Sequence, residues 1–391
     1  MTFPFRSSNL GTVARTLVVT TLATGALIGF SASPASAAPD PANFALNRAD
    51  TDADLISGLD AALPQHTVPQ VLNSANRTGE ACTAPVQHRA GSFCWESGDN
   101  TVKYWTPQGL STSADATGGP YQGRDTLLAA WYDSTAGSAD RGVRITFVDM
   151  ANTVTPKYRH VLLVEPTGTA DAPSYKAINA HAGGLAWYGD QLYVCDTFGG
   201  MRVFDMKHIL APDNFDGDLI GLQPDGSYAA RNYAFVMPQV AKYNPATSGG
   251  EPDLRFSQVS VDRTSGTHSL VVSEWDAVGD TTRMVRFDVD GDGSVTPDSD
   301  GTGRADWAYT VGFRSMQGAT AIDGVYYVHR NSSSGRGGMI KWTQGSPADV
   351  MDDTLPAGPE DVSYWIGRDQ LWGHTEKPGT RYVFASTASA W

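Results

Sequence analysis

Cysteine and positive charge are both scarce in this sequence of 391 residues. The three cysteines are Cys82, Cys94 and Cys195, and none is spaced with histidine in a pattern typical of zinc ligands. Lys and Arg number 28 against 42 Asp and Glu, so the formal net charge is −14. Because phosphate groups are bound by clustered Lys and Arg, this deficit argues against nucleic acid or an anionic membrane surface as a partner.

No apolar run after the first forty residues is long enough to span a membrane. The N-terminus has the pattern of a secretory signal peptide: Arg6 and Arg15 flank the start, residues 16–30 are apolar, and Ala35-Ser36-Ala37 fits the small-residue cleavage rule. We therefore predict that residues 1–37 are a signal peptide and that the remaining chain is secreted to the extracellular space without a membrane anchor.

Residues 38–94 are predicted to be an N-terminal arm that packs on the main domain or stays partly mobile. Asp52–Leu63 has the apolar spacing of one amphipathic helix. In an oxidising environment Cys82 and Cys94 are expected to form a disulfide across a short loop. For Cys195, a buried unpaired thiol is favoured over a reactive nucleophile.

A repeated pattern of short strands and turns extends over the rest of the chain. The stretch Gly183–Asp205, GGLAWYGDQLYVCDTFGGMRVFD, is typical of three β-strands separated by turns that carry Gly and Asp. The predicted strands are Leu185–Tyr188, Gln191–Asp196 and Met201–Asp205. Four other stretches repeat this triplet in part or in full: residues 127–148, 258–288, 319–342 and 362–385. Further strand-like runs follow the first four units, at Arg159–Glu165, Tyr233–Val240, Trp307–Phe313 and Asp349–Leu355.

The fifth unit has no strand after it, whereas Thr101–Thr106 stands before the first unit. We predict that Thr101–Thr106 pairs beside Arg381–Ala385 and closes a ring. Four-stranded units closed in this way describe a β-propeller. The sequence resembles the β-propeller class over residues 95–391, and it also resembles secreted, functionally unassigned proteins of high-GC Gram-positive bacteria. The fold class is therefore all-β with five blades; a sixth blade hidden between Phe204 and Phe287 and a β-sandwich are the alternatives.

In a propeller, residues that precede the inner strands surround the axis, together with the turns between second and third strands. These positions carry polar side chains, which predicts an axial pocket. The predicted ligand-binding residues are Arg124, His181, Gln258, Gln317, His329 and His374. The predicted catalytic residues, acting as acid and base on a glycosidic bond, are Glu274, Glu360 and Asp361. The alternatives are a structural salt bridge for Glu274 and hydrogen-bonded rim positions for the histidines.

Asp288 to Gly303 (DVDGDGSVTPDSDGTG) has the alternating carboxylates of a calcium loop, although it lacks the Glu at the twelfth position. The predicted Ca²⁺ ligands are Asp288, Asp290, Asp292, Ser294 and Asp298; a solvated acidic turn is the alternative. Because this loop joins a third strand to a fourth, it is expected on the face away from the pocket, where the ion would be structural.

Together these patterns predict a secreted, monomeric propeller that binds an extracellular polymer, with carbohydrate as the first choice, either with or without hydrolysing it. Trp275 and Trp372 are the candidates for stacking on sugar rings. Two other functions remain open: a non-catalytic binding or scaffold module for a protein or cell-wall component, and a lactonase-like, metal-dependent hydrolase of small molecules.

Overall fold

Short β-strands joined by tight turns dominate the computed structural model, which describes residues 38–135 and 141–391. The predicted signal peptide lies outside the described residues. Within them, hydrogen bonding joins the strands into sheets of fourteen, five, four and four strands and a two-stranded hairpin. Twenty of these strands group into five antiparallel four-stranded units, here called sheets I to V by the order of their inner strands. Sheets I and II belong to the fourteen-stranded sheet, because their outer strands pair in parallel. From inner to outer, the strands are Trp105–Thr112, Thr126–Asp133, Val143–Asp149 and Lys157–Thr169 in sheet I; Leu185–Tyr188, Gln191–Asp196, Gly200–Asp205 and Val236–Thr247 in sheet II; Gln258–Asp262, Ser269–Ser273, Arg283–Asp288 and Trp307–Thr310 in sheet III; Met316–Ile322, Val325–Asn331, Gly337–Thr343 and Asp349–Leu355 in sheet IV; and Pro359–Trp365, Gln370–Thr375, Tyr382–Thr387 and Arg89–Cys94 in sheet V.

The five inner strands contact one another in a ring, each packing against the inner strands of the two neighbouring sheets. The backbones approach so closely that glycine is required at some crossings. A Cβ atom on Gly109 would lie 2.7 Å from the backbone nitrogen of Leu185, and one on Gly318 would lie 2.7 Å from the Cα of Asp361. This radial arrangement of sheets is that of a β-propeller, as the sequence predicts.

Large apolar side chains fill the wedges between neighbouring sheets. Each third strand carries a buried aromatic residue, and none of these five is more than 5% exposed. They are Phe147, Phe204, Phe287, Trp342 and Phe384. The cluster around Phe287, for example, combines residues of sheets II and III, so burial of this surface holds adjacent sheets together.

The outer strand of sheet V comes from the N-terminal part of the chain. Arg89–Cys94 pairs with the third strand of that sheet, Tyr382–Thr387. The prediction that Thr101–Thr106 occupies this place was wrong, because Trp105 and Thr106 pair with Asp133 and Tyr132 in sheet I. The inner strand of sheet I was missed because Pro107 and Gly109 break the strand pattern, and a bulge lies between Pro107 and Leu110.

The predicted N-terminal arm is integrated into the sheets. Phe44–Asp50 pairs along the outer strand of sheet II, and Ala38–Trp391 form one compact unit. The predicted helix is present at Ala53–Ala62, with Asp52 as its N-cap. The disulfide between Cys82 and Cys94 is confirmed, and Cys195 is buried and unpaired, as predicted.

Short elements connect the sheets. The interval between Phe204 and Phe287 holds a two-stranded hairpin rather than a further four-stranded sheet. The remaining helices are Val68–Asn73, Ser97–Thr101, Ser113–Thr117 and the 3-10 turns Pro41–Asn43 and Ala388–Ala390. The remaining strands are Gln65–His66, Arg77–Thr78, Glu80–Ala81, Ala172–Ala177, Ile209–Leu210, Ile220–Leu222, Tyr228–Ala230 and Gly303–Arg304. None of the helices in the described ranges is long and apolar enough to cross a membrane.

Candidate functional site

A cavity of about 710 Å³ lies where the inner strands begin. Its wall combines residues at the starts of inner strands with residues after second strands, which is the face that the sequence predicts for a pocket. The lining residues are Gln108, His181, Asp196, Thr197, Phe198, Ser257, Gln258, Trp275, Gln317, Asn331, Glu360 and Glu376. We call it the axial cavity.

Bulges in three inner strands coincide with polar residues of the axial cavity. Register shifts occur between Pro107 and Leu110, between Met316 and Gly318, and between Pro359 and Val362. Gln108, Gln317 and Glu360 lie within these three intervals. A bulge redirects a side chain out of the regular pleat, and bulges are common beside active sites. The shared irregularity therefore positions equivalent polar side chains of sheets I, IV and V at the cavity.

Glu360 is the most unusual residue of the cavity wall. It is only 3% exposed, and no hydrogen bond to its carboxylate occurs among the described residues; neither carboxylate oxygen is fully enclosed, so the group opens onto the cavity. Burial raises the pKa of Glu360 well above its usual range, and the nearby charges of Glu376 and Asp361 raise it further. A buried carboxyl without a partner costs stability, so its position here points to a role in binding or catalysis.

Glu376 supplies a second carboxyl to the same wall. Burial raises its pKa, although the charge of Lys377 partly offsets this effect. The Nε2 group of Gln108 donates a long hydrogen bond of 3.4 Å to Glu376. Burial raises the pKa of Tyr132, and the charges of Glu376 and Glu360 raise it further. Two carboxyls in a poorly solvated site favour keeping one protonated, as an acid–base pair requires.

Asp361 lies beneath the cavity and not in its wall. Its carboxylate accepts the backbone N–H groups of Leu110 at 2.9 Å and Leu185 at 3.1 Å. It also accepts the N–H of Val362 at 2.9 Å. Burial nevertheless raises the pKa of Asp361 well above its usual range. The structure therefore places this predicted catalytic residue as a bridge that joins the inner strands of sheets I, II and V.

His329 and His374 also lie below the wall and are fully buried. His329 Nδ1 is 3.1 Å from the backbone oxygen of Glu360, and His374 Nε2 is 2.7 Å from that of Gln108. Burial lowers the pKa of each histidine to about 4. Both rings are therefore neutral at physiological pH, and they support the backbone of two wall residues instead of reaching a ligand themselves.

Glu274 and Arg124 lie outside the wall. Glu274 forms a buried ion pair with Arg283, at 2.7 and 2.8 Å, and accepts the backbone N–H of Arg255 at 3.0 Å. This arrangement matches the structural alternative of a salt bridge, although within sheet III. Arg124 pairs with Asp149 and precedes the second strand of sheet I, so it lies on the opposite face. Arg124 was wrongly predicted at the pocket because the inner strand of sheet I was not recognised.

Three predicted ligand-binding residues line the cavity: His181, Gln258 and Gln317. The ring of His181 packs on Tyr132, with 4.4 Å between the ring centroids, and burial lowers its pKa. Gln258 is held by the backbone oxygen of Met316 and by the hydroxyl of Ser273. Together with Glu360, these residues are the part of the predicted site that the fold brings together.

Aromatic side chains stand at the rim. Trp275 is 41% exposed and Phe198 is 78% exposed, and both line the cavity. Trp372, the other residue considered for stacking, is 1% exposed and lies in the core. The sequence does not distinguish these two tryptophans, because both stand close to the end of a second strand.

Sequence reasoning missed several wall residues. Gln108 escaped because its strand was not recognised, whereas Ser257 directly precedes the predicted Gln258. Asn331 ends a second strand and Phe198 follows one, at positions that the repeat geometry marks. The same rule does mark Glu376 as a second-strand exit, but Glu274 was chosen as the catalytic residue in its place.

The predicted calcium loop lies on the opposite face, against the first turn of sheet II: a Cβ on Gly293 would lie 2.9 Å from Gln191. Asp290 accepts a hydrogen bond from Thr296, Asp292 accepts one from the backbone of Ser294, and Asp298 pairs with Arg304. In the described residues, no three His, Cys, Asp or Glu side chains converge as a metal cluster. Calcium binding by the loop stays a prediction.

No protein-family model matches the sequence, and no curated protein is detectably similar to it. Among solved structures, the chain is similar to the β-propeller domain of Cps50 (Swd1) from Myceliophteria thermophila, with 8% identity and a TM-score of 0.35 over 73% of this chain and 98% of that one. It is also similar to Sqt1 from Chaetomium thermophilum, with 10% identity and a TM-score of 0.30 over 77% and 72% of the two chains. Likeness at this level says nothing about function.

Proposed function

We propose that the chain is a secreted, five-bladed propeller, closed by Arg89–Cys94, that binds a neutral, hydroxyl-rich extracellular ligand in the axial cavity and hydrolyses it. The ligand is a carbohydrate. The observation that carries this proposal is Glu360, a buried carboxyl without a partner, beside the second carboxyl of Glu376.

The charge of the wall favours a ligand without negative charge. None of the described residues that line the cavity is Lys or Arg, whereas Asp196, Glu360 and Glu376 are acidic. Asp196 is already paired with Arg202 at 3.2 Å, so Glu360 and Glu376 are the acidic wall residues that remain available to a ligand. An anionic ligand would be repelled by the carboxylates of this wall.

The polar wall residues suit hydroxyl groups. Gln108, Gln317 and Asn331 carry amides that both donate and accept hydrogen bonds, as a sugar hydroxyl does. Trp275 and Phe198 offer flat apolar surface at the rim, on which sugar rings stack. Amides in the wall can hydrogen-bond the hydroxyl groups of a carbohydrate, and aromatic rings at the edge can stack on its sugar rings.

Hydrolysis of a glycosidic bond needs one protonated and one ionised carboxyl. The raised pKa of Glu360 suits it to donate a proton to the leaving oxygen, and Glu376 is then the second carboxyl. Glu376 thus takes the role that the sequence analysis gave to Glu274.

A glycan array and a polysaccharide-release assay on the secreted protein test the proposal, with Glu360→Gln and Glu376→Gln as variants. We expect binding of neutral glycans, and a loss of turnover by about 100-fold or more when either carboxyl is replaced. Arg124→Gln, on the opposite face, is the matched control. Binding of acidic polymers only, or unchanged turnover in both glutamate variants, would contradict the proposal.

A further inference from the structure

A second cavity, of about 350 Å³, lies beside the outer half of sheet I. We call it the arginine cavity. Its wall comes from the N-terminal segment, the third and outer strands of sheet I, and the loop before the outer strand of sheet II. The lining residues are Asn76, Arg77, Tyr104, Arg144, Arg159, His160, Arg231, Asn232, Tyr233 and Ala234. Four of these are arginines and none is acidic, in a protein whose net charge is −14.

Asp99 is the one carboxylate paired with these arginines in the described part of the chain. It lies 3.0 Å from Arg77 and 2.9 Å from Arg144. Asp99 also lies 3.0 Å from His160, and burial together with the charge of Arg144 lowers the pKa of that histidine to about 3. The histidine is therefore neutral, and one negative charge faces four guanidinium groups.

Arg159 and Arg231 have no carboxylate partner among the described residues. Arg159 donates to the backbone oxygen of Ser74 at 2.7 Å and lies over the ring of Phe235, at 5.5 Å. Burial and the charge of Arg77 lower the pKa of Arg159, as expected for a cation that lacks a counter-charge.

Two of the arginines also keep buried nitrogen atoms without a hydrogen bond. The Nε atoms of Arg144 and Arg231 have no acceptor, and Arg144 is only 4% exposed. A guanidinium keeps its proton at physiological pH, so this charge cannot be relieved by titration as that of a carboxyl can. Buried donors without acceptors are costly, which indicates that an acceptor is missing from the cavity.

The loop that carries Arg231 has an uncommon backbone. Arg231 and Asn232 both have positive φ angles, of 48° and 66°. Residues other than glycine rarely adopt this conformation, and holding one there costs about 1 kcal/mol or more. The surrounding structure therefore fixes Arg231 at the cavity at some cost in stability.

We propose that the arginine cavity binds an organic oxyanion, a small molecule that carries a phosphate, sulfate or carboxylate group. Guanidinium groups match the geometry of such groups with two parallel hydrogen bonds. Its volume equals that of about twelve water molecules, which leaves room for more than an inorganic anion. Asn76, Asn232 and Tyr104 provide hydrogen-bonding groups for the rest of the ligand.

Calorimetric titration and thermal unfolding of the full chain test this inference. The probes are inorganic phosphate, glucose 6-phosphate and glucose, at constant ionic strength set with chloride. Arg159→Gln and Arg231→Gln remove the two arginines without a carboxylate partner and leave Asp99 paired. Arg314→Gln, an exposed arginine beside Asp280, is the control. Circular dichroism establishes that each variant is folded.

We expect both phosphate-bearing probes to bind, the sugar phosphate more tightly, and glucose to give no signal. Each cavity variant should weaken binding by about 10-fold or more, because a charge-assisted hydrogen bond is lost. The control should bind as the wild type does. Three results would overturn the proposal: no response to phosphate, an equal response in all variants (a general salt effect), or binding of inorganic phosphate alone.

Discussion

The axial cavity and the arginine cavity both hold an excess of buried charge, which is negative in the first and positive in the second. Each is walled by buried charged groups of mainly one sign. In the axial cavity, Glu360 and Glu376 share a poorly solvated wall that contains no Lys or Arg among the described lining residues. In the arginine cavity, Asp99 stands behind the wall and compensates only part of the positive charge.

The two cavities differ in how the excess charge can be removed. Burial and the proximity of a second carboxyl raise the pKa of Glu360, so protonation can neutralise it. A guanidinium cannot lose its proton at physiological pH and needs a counter-ion. The axial cavity should therefore respond to pH, and the arginine cavity should respond to its internal carboxylate and to added anions.

The largest effect is expected from Asp99→Asn. This change removes the counter-charge of Arg77 and Arg144 and leaves buried cations unpaired. Breaking a buried ion pair on one side costs about 3–5 kcal/mol, so the free energy of unfolding in urea should fall by that amount. Asp225→Asn is the control, because Asp225 is exposed and bonds only within its own turn. A loss below about 1 kcal/mol would mean that the arginines of this cavity need no counter-charge.

The effect of Glu360→Gln on the free energy of unfolding should have the opposite sign to that of Asp99→Asn. Because the folded-state pKa of Glu360 lies above the unfolded value, its protonated form stabilises the fold below pH 4.5, and this contribution is lost as the pH rises through the folded-state pKa. The stability of the wild type relative to the variant should therefore fall on going from pH 5 to pH 8. The variant cannot ionise at this position and should be the more stable protein at pH 8.

The matched comparison for that experiment is Glu274→Gln. Glu274 is also buried, but it is paired with Arg283, so the same substitution should lower the free energy of unfolding. Urea unfolding at several pH values measures both variants. If Glu360→Gln and Glu274→Gln change stability in the same direction, the distinction between the unpaired and the paired carboxyl is lost.

Local sequence patterns predicted much of the fold. The strands Leu185–Tyr188 and Gln191–Asp196 were recognised to the residue, since alternation and Gly–Asp turns are local signals, and Asp349–Leu355 was found from the regular spacing of the units. Trp105–Thr112 was missed because a proline, a glycine and a bulge break its alternation. That single omission misplaced both the closing strand and Arg124.

The candidate site was predicted only where it follows the repeat. Gln258, Gln317 and Glu360 stand at the starts of inner strands, and this position by itself leads to the axis. The ion pair of Glu274 with Arg283, in contrast, depends on the pairing of the second and third strands of sheet III. The arginine cavity could not be anticipated at all, because Arg77, Arg144, Arg159 and Arg231 come from four distant segments and carry no shared motif.

Trp275→Ala should give a smaller effect, confined to ligand binding. Trp275 is 41% exposed at the rim of the axial cavity, so its removal leaves the core intact. Loss of one stacking ring should weaken carbohydrate binding by about 10-fold, with the melting temperature nearly unchanged. Trp372→Ala is the contrasting variant, because this buried tryptophan should cost about 3–5 kcal/mol of stability. Unaltered glycan affinity in Trp275→Ala would remove the rim from the proposed binding site.

The smallest effect is expected from calcium at the loop of residues 288–303. Apart from the half-buried Asp288, these carboxylates are exposed, in contrast to those of both cavities, and water already screens their charge. At ten times its dissociation constant Ca²⁺ adds only about 1.4 kcal/mol to stability, so the melting temperature should rise by a few degrees at most. Asp290→Ala should lose this response, and Mg²⁺ serves as the control ion. Equal melting of the wild type in Ca²⁺ and in EDTA would leave a solvated acidic turn as the correct description, and the two cavities as the places where this protein concentrates uncompensated charge.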